Sequence, residues 1–249
     1  MTAFNPFTLE GKTILVTGAS SGIGRGIAIA CSKMGASVVL NGRNEHRLAE
    51  TLSQMDGDGH RTVVADLTDS LALSAAVTSL PPLDGIVHCA GIGQRIPCKQ
   101  LQETGIDGVM DANFKAPVML QTELLRQKKV SRGASIVFIA SIAADSPSMG
   151  NSIYSASKGA IISYANCLGV ELAPRLIRVN CISPAMVWTD LVLKGGVTEE
   201  QLKMDEARYP LKRYGTPEDI AWLAVYMLSD ASAWMTGSNV KITGGVTNL

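Results

Sequence analysis

The sequence is short of several things, and each shortage excludes a class of protein. Aromatic residues make up 5% of the chain. Its 22 basic side chains are matched by 22 acidic ones, so no surplus of charge marks a nucleic acid or an anionic membrane as partner. No apolar run approaches the roughly 18 residues that a membrane-spanning helix needs. The opening M-T-A-F-N-P-F-T-L-E has neither the basic start nor the apolar core expected of a secretory leader. The five cysteines, Cys31, Cys89, Cys98, Cys167 and Cys181, are an odd number, and their spacing fits neither a zinc site nor a disulfide framework. Cys89 and Cys181 fall in or beside apolar strand runs and read as reduced core residues. No metal is expected, and a reducing cytoplasm is the expected compartment. There is also no fixed-period repeat and no low-complexity linker. A chain of 249 residues with 46% apolar content therefore reads as one domain over residues 1–249.

What is present is alternation. Short β-branched runs at 13–17, 37–40, 62–65, 85–88, 135–140, 177–182 and 239–242 read as strands. Between them, 23–34, 45–55, 70–79, 105–127, 153–172 and 217–228 read as helices, the last capped by Thr216. The stretch between Leu67 and Asp84 is short, so its helix is expected to be trimmed. The expected class is α/β: a Rossmann fold, with a doubly wound parallel sheet of about seven strands and helices on both faces.

The first strand-to-helix junction reads T-G-A-S-S-G-I-G, residues 17–24. In such a sheet this junction is where a dinucleotide binds. Gly18 suits a tight turn, Gly22 lets the backbone approach a pyrophosphate, and Gly24 lets the helix pack closely on the strand. The helix N-terminus then offers free N–H groups and a positive dipole end. At the end of the second strand, N-G-R-N places Asn41, Gly42 and Arg43 where an NAD-binding protein shows a carboxylate for the ribose hydroxyl. The acid is missing and a guanidinium is present, which favours NADP(H) over NAD(H). Glu45 qualifies that reading, since a small loop shift would bring its carboxylate closer.

Y-S-A-S-K places Tyr154 and Lys158 four apart on one face of a helix. A free phenol titrates near pH ~10. An ammonium about 4 Å away favours a phenolate by on the order of 4 kcal/mol at an effective dielectric of about 20. The pair reads as a proton-transfer unit. Ser141 ends the strand S-I-V-F-I-A-S, 13 residues earlier, at an edge where ligands sit.

Taken together, these motifs strongly resemble the short-chain dehydrogenase/reductase family in its short, single-domain branch, from about Leu9 to the end. The resemblance implies a catalytic set of Asn113, Ser141, Tyr154 and Lys158. Tyr154 would protonate a carbonyl oxygen, Ser141 would orient it, Lys158 would hold the ribose hydroxyls, and Asn113 would fix a water that replenishes the proton. It further implies cofactor contacts from Gly18, Ser20, Ser21, Gly22, Ile23, Gly24, Arg43, Asp66, Leu67, Ala90, Gly91, Tyr154, Lys158, Pro184, Val187 and Thr189, with Asp66 at the adenine amino group. Two positions depart from the family pattern. His88–Gly91 reads H-C-A-G in place of N-N-A-G, with His88 a core histidine, and Pro184–Ala185 replaces P-G.

The resemblance points to a small carbonyl or alcohol substrate, in the style of 3-oxoacyl-carrier-protein reductases or of sugar and polyol dehydrogenases. A nucleotide-sugar epimerase and a non-catalytic NADP(H)-binding regulator are the other classes the motifs touch. Residues 186–213, with Met186, Trp188, Met204 and Tyr209, read either as a substrate-covering segment or as a subunit contact. Lys194 and Lys203 read as solvated charges. A homotetramer or homodimer is expected, built on the helices at 105–127 and 153–172.

Overall fold

The computed structural model describes residues 4–146, 148–193 and 198–246. Seven parallel strands form one sheet: β1 (Thr13–Thr17), β2 (Ser37–Gly42), β3 (Arg61–Val64), β4 (Leu83–His88), β5 (Val130–Ile139), β6 (Arg178–Pro184) and β7 (Asn239–Ile242). Their order is β3-β2-β1-β4-β5-β6-β7. The chain direction across the sheet reverses between β1 and β4, which opens a crevice at their C-terminal ends.

The strands are apolar on both faces because both faces are covered. Ile14, Val16, Val38, Leu40, Val87, Val137 and Ile139 point to one side, where they pack with α1 (Gly22–Lys33) and α9 (Pro217–Leu228). Leu15, Val39, Ile86, Ile136 and Phe138 point to the other. There they meet α3 (Ser70–Ser79), α5 (Ala116–Arg126) and α6 (Ser152–Leu172). The period-2 alternation of a strand thus builds two cores from one sequence run.

Local chemistry sets the helix ends. Asn44 caps α2 (Glu45–Leu52) by accepting from Arg47 N. Asp69 caps α3 through Leu71 N and Ala72 N. Thr216 and Asp219 cap α9 reciprocally, with Pro217 at its first turn. Gly35, at φ +89°, ends α1 in the left-handed region.

Three stretches differ from the sequence expectation. The helical stretch expected over 105–127 is present, as α4 (Glu103–Met110) running into α5, but a π-helical turn at Asp111–Lys115 that carries Asn113 lies inside it. Strand β5 begins at Val130, because Val130 pairs with Leu83 ahead of a register shift that a glycine-containing run does not announce. Two short helices, α7 (Asp190–Leu193) and α8 (Glu199–Glu206), lie within the segment at 186–213.

Candidate active site

The glycine loop is held from several sides. Thr17 Oγ1 accepts from Cys89 N (3.0 Å) and Ala90 N (3.1 Å), pinning the end of β4 against the end of β1. Ala19 N donates to Asn41 O at 3.0 Å, and Thr51 Oγ1 donates to Ala19 O at 2.9 Å. Arg25 Nη2 donates to Ser20 O at 2.7 Å. Gly18 adopts φ +67°, and a methyl there would stand 2.9 Å from Ala90 Cα. A methyl at Gly24 would collide with the Gly18 carbonyl oxygen. Only glycine fits either place. Ser21 stands at the N-cap of α1 with no side-chain capping bond, and the first turn carries no acid. The leading N–H groups, Gly22 to Gly24, are therefore free to meet an anion, which fits the pyrophosphate of a dinucleotide.

Beside the loop lies a charged mouth. Asn41 is buried and its Nδ2 donates to Val63 O at 3.1 Å, so it faces β3. Arg43 is exposed and its Nη1 lies 3.5 Å from Asp66 Oδ2. The bonds that Asp66 Oδ1 accepts from Thr68 N (3.0 Å) and Thr68 Oγ1 (2.7 Å), helped by Arg43, hold its carboxyl below the usual range. Leu67 packs under this mouth on the second core. No carboxylate occupies positions 41–43, and Glu45 sits in the first turn of α2.

The other end of the crevice gathers the expected reaction residues. Lys158 is buried; its Nζ donates to Ile139 O at 2.9 Å and lies 5.7 Å from the centre of the Tyr154 ring. Ser141 stands two residues beyond the end of β5, and its Oγ accepts from Ala143 N at 3.1 Å. Asn113 is buried. Its Oδ1 accepts from Ile92 N (2.7 Å), while Nδ2 donates to Ile92 O (2.9 Å) and Ser157 Oγ (3.1 Å). Ser157 Oγ donates to Tyr154 O at 2.7 Å. Gly91 leaves room for this cluster, since a methyl there would stand 3.0 Å from Asn113 Oδ1. Thr17, Arg25, Thr51 and Ser157 are supporting residues that the motif reading passed over. Thr17 and Ser157 lie inside the very motifs quoted, one step before Gly18 and one before Lys158.

His88 is a core residue, as expected. It stacks on Phe138 with centroids 4.4 Å apart, and its Nε2 meets Gln121 Oε1 at 3.0 Å. Burial pushes its pKa down to about 4. Ala185 takes no left-handed conformation, so the methyl that replaces the family glycine is accommodated.

The segment after Pro184 folds back on itself. Val187 bridges Gly215, and Trp188 Nε1 donates to Glu206 Oε1 at 2.9 Å. Tyr209, Tyr214, Leu202, Met186 and Trp188 form a small third core. Met204 is exposed, and Lys203 pairs with Glu199 at 2.9 Å. Lys194 lies outside the described residues. Among the described residues no cluster of His, Cys, Asp or Glu is placed to hold a metal ion, and no helix is long and apolar enough to cross a membrane. The five cysteines are free.

Comparison with known proteins agrees with this geometry. The chain matches the enoyl-(acyl carrier protein) reductase family over residues 18–247. It is 33% identical over 238 residues to a 3-oxoacyl-(acyl-carrier-protein) reductase of Rickettsia felis, covering 96% of this chain and 98% of that one. Among solved structures, it superposes with a TM-score of 0.90 at 29% identity on a candidate gluconate dehydrogenase of Agrobacterium tumefaciens, covering 97% and 98% of the two chains. A candidate NAD(P)-dependent gluconate 5-dehydrogenase of Beutenbergia cavernae, solved with bound NADP, gives a TM-score of 0.85 at 31% identity, with the same coverage.

Proposed function

The chain belongs to the short-chain dehydrogenase/reductase family of oxidoreductases acting on CH–OH groups, and on that premise we propose that it interconverts a ketone and a secondary alcohol with NADP(H), Tyr154 serving as general acid and base. The observation that carries this reading is the buried Lys158 ammonium, fixed by Ile139 O and set against the Tyr154 ring at the C-terminal sheet edge.

The glycine loop and the free N–H groups of α1 would hold the pyrophosphate, Asp66 the adenine, and Arg43 the 2′-phosphate after leaving Asp66. Pro184, Val187 and Thr189 would border the nicotinamide, whose reduced form supplies a hydride. Ser141 Oγ–H donates a hydrogen bond to the substrate oxygen and orients it. The Tyr154 hydroxyl gives that oxygen its proton, and the cation of Lys158 favours the phenolate left behind. Asn113 spends its amide on Ile92 and Ser157, which locks α6 and the loop after β4 at fixed spacing, the frame in which it would fix the water that returns the proton.

For substrate, the reading is a 3-oxoacyl thioester, supported by the Rickettsia relative. A sugar or polyol is the second reading, supported by the likeness to the gluconate dehydrogenase structures. The segment at 186–213 would cover the substrate. Its own small core, which uses Trp188 and Tyr209 internally, favours that over a subunit contact. Exposed Met119 and Val170, on α5 and α6, support a homo-oligomer built there. The test is oxidation of NADPH and NADH against acetoacetyl thioesters, ketoses, keto-acids and diketones. NADPH-selective turnover is expected. Selective use of NADH would remove the role given to Arg43, and binding without turnover across the panel would favour a non-catalytic regulator.

A further inference from the structure

The segment that follows Pro184 crosses to the nucleotide side of the crevice, and one ion pair holds it there. Its base is firm: Trp188 N donates to Gly215 O at 2.9 Å, and the indole is fixed to Glu206. Beyond this base, Thr189 lies directly over the glycine loop. Its Cγ2 is 3.1 Å from where a Cβ on Gly22 would stand. The next residue, Asp190, opens α7, and its Oδ2 lies 3.4 Å from Nη1 of Arg47 on α2.

Arg47 itself is well founded. Its N–H donates to Asn44 Oδ1 at 2.9 Å, and its carbonyl accepts from Arg25 Nη2 at 3.4 Å. The same Arg25 nitrogen grips Ser20 O of the glycine loop. So α1, α2 and the 187–190 segment are laced around one opening. Arg47–Asp190 is the only ion pair or hydrogen bond, among the described residues, between α7 and the nucleotide-side helices. It joins positions 143 apart in sequence. Both side chains are about half exposed, at 44% and 51%. An ion pair so placed is weak and salt-sensitive, which suits a contact that must open and close.

We infer that the Arg47–Asp190 pair is a strap across the dinucleotide crevice, closing the 187–190 segment over bound cofactor and slowing its release. This rests on the reading that a dinucleotide lies on the glycine loop, and on neither the 2′-phosphate preference nor the substrate. Arg47 and Asp190 act as positioning residues, through the segment they tie down.

The test is stopped-flow fluorescence of NADPH and NADH release from the full chain, in wild type, Arg47→Ala, Asp190→Asn and the exchanged pair Arg47→Asp with Asp190→Arg. Each single variant should release both nucleotides about two- to fivefold faster, the range of an exposed pair. The exchanged pair should return toward the wild-type rate. Raising ionic strength should speed release from wild type more than from either single variant. Equal rates in all four proteins would overturn the strap. So would faster release of NADPH alone in Arg47→Ala with Asp190→Asn unchanged, since Arg47 would then be reading phosphate. Wild-type protein that binds neither nucleotide would overturn the dinucleotide reading, and the strap with it.

Discussion

The two ends of the crevice are built by opposite means. At the reaction end, Asn113, Ser157 and Lys158 are buried and each polar atom cited is bonded to a neighbour at 2.7–3.1 Å. At the nucleotide mouth, Arg43, Arg47 and Asp190 are exposed and Asp66 is half-buried, and the two ion pairs lie at 3.4–3.5 Å. Buried bonds are costly to break and fix geometry. Exposed pairs exchange partners at little cost. Proton transfer needs the first property, and taking up and releasing a charged nucleotide needs the second.

Three substitutions sharpen this contrast, in descending order of effect on stability. Asn113→Ala removes the partners of Ile92 N–H and Ile92 C=O and the donor to Ser157 Oγ, which keeps its own bond to Tyr154 O. It should cost about 3 kcal/mol in urea unfolding, at about 1 kcal/mol for each of the three bonds lost. A cost near zero would mean that the reaction end is not the rigid part. His88 extends the same buried network logic to pH. Its pKa falls from 6.5 to about 4 on burial. Between those values the unfolded chain binds a proton that the folded chain refuses, so stability falls as pH falls through that window. From pH 7 to pH 5 the loss should be about 2 kcal/mol, and His88→Asn should remove that part of the pH dependence. Arg43→Ser should change stability by less than about 0.5 kcal/mol, as exposed substitutions do, while weakening NADPH and leaving NADH binding unchanged in fluorescence titrations.

The same contrast explains what the sequence made legible. The strand–helix alternation and the glycine loop were readable because periodicity and glycine spacing are local signals. Helix α9 falls where its capping residue Thr216 announces it, and α3 over the expected 70–79, with Asp69 as the cap the structure adds. Tyr154, Lys158 and Ser141 were readable as motif residues. Their supports were not, because Thr17, Thr51 and Arg25 act on partners from other elements, such as Ala90 and Ser20. The π-turn at Asn113 was hidden inside an unbroken helical pattern. The pairing of Arg47 with Asp190 belongs to tertiary structure alone, since nothing near either residue names the other.

The most direct test of the account is Tyr154→Phe, compared with wild type for NADPH-dependent reduction of the best carbonyl substrate and for NADPH binding. The phenol's proton is the step assigned to this chain. Turnover should therefore fall by about 10²–10⁴-fold, the range of general acid–base catalysis, with NADPH affinity retained. Turnover close to wild type with the phenol removed would contradict the account.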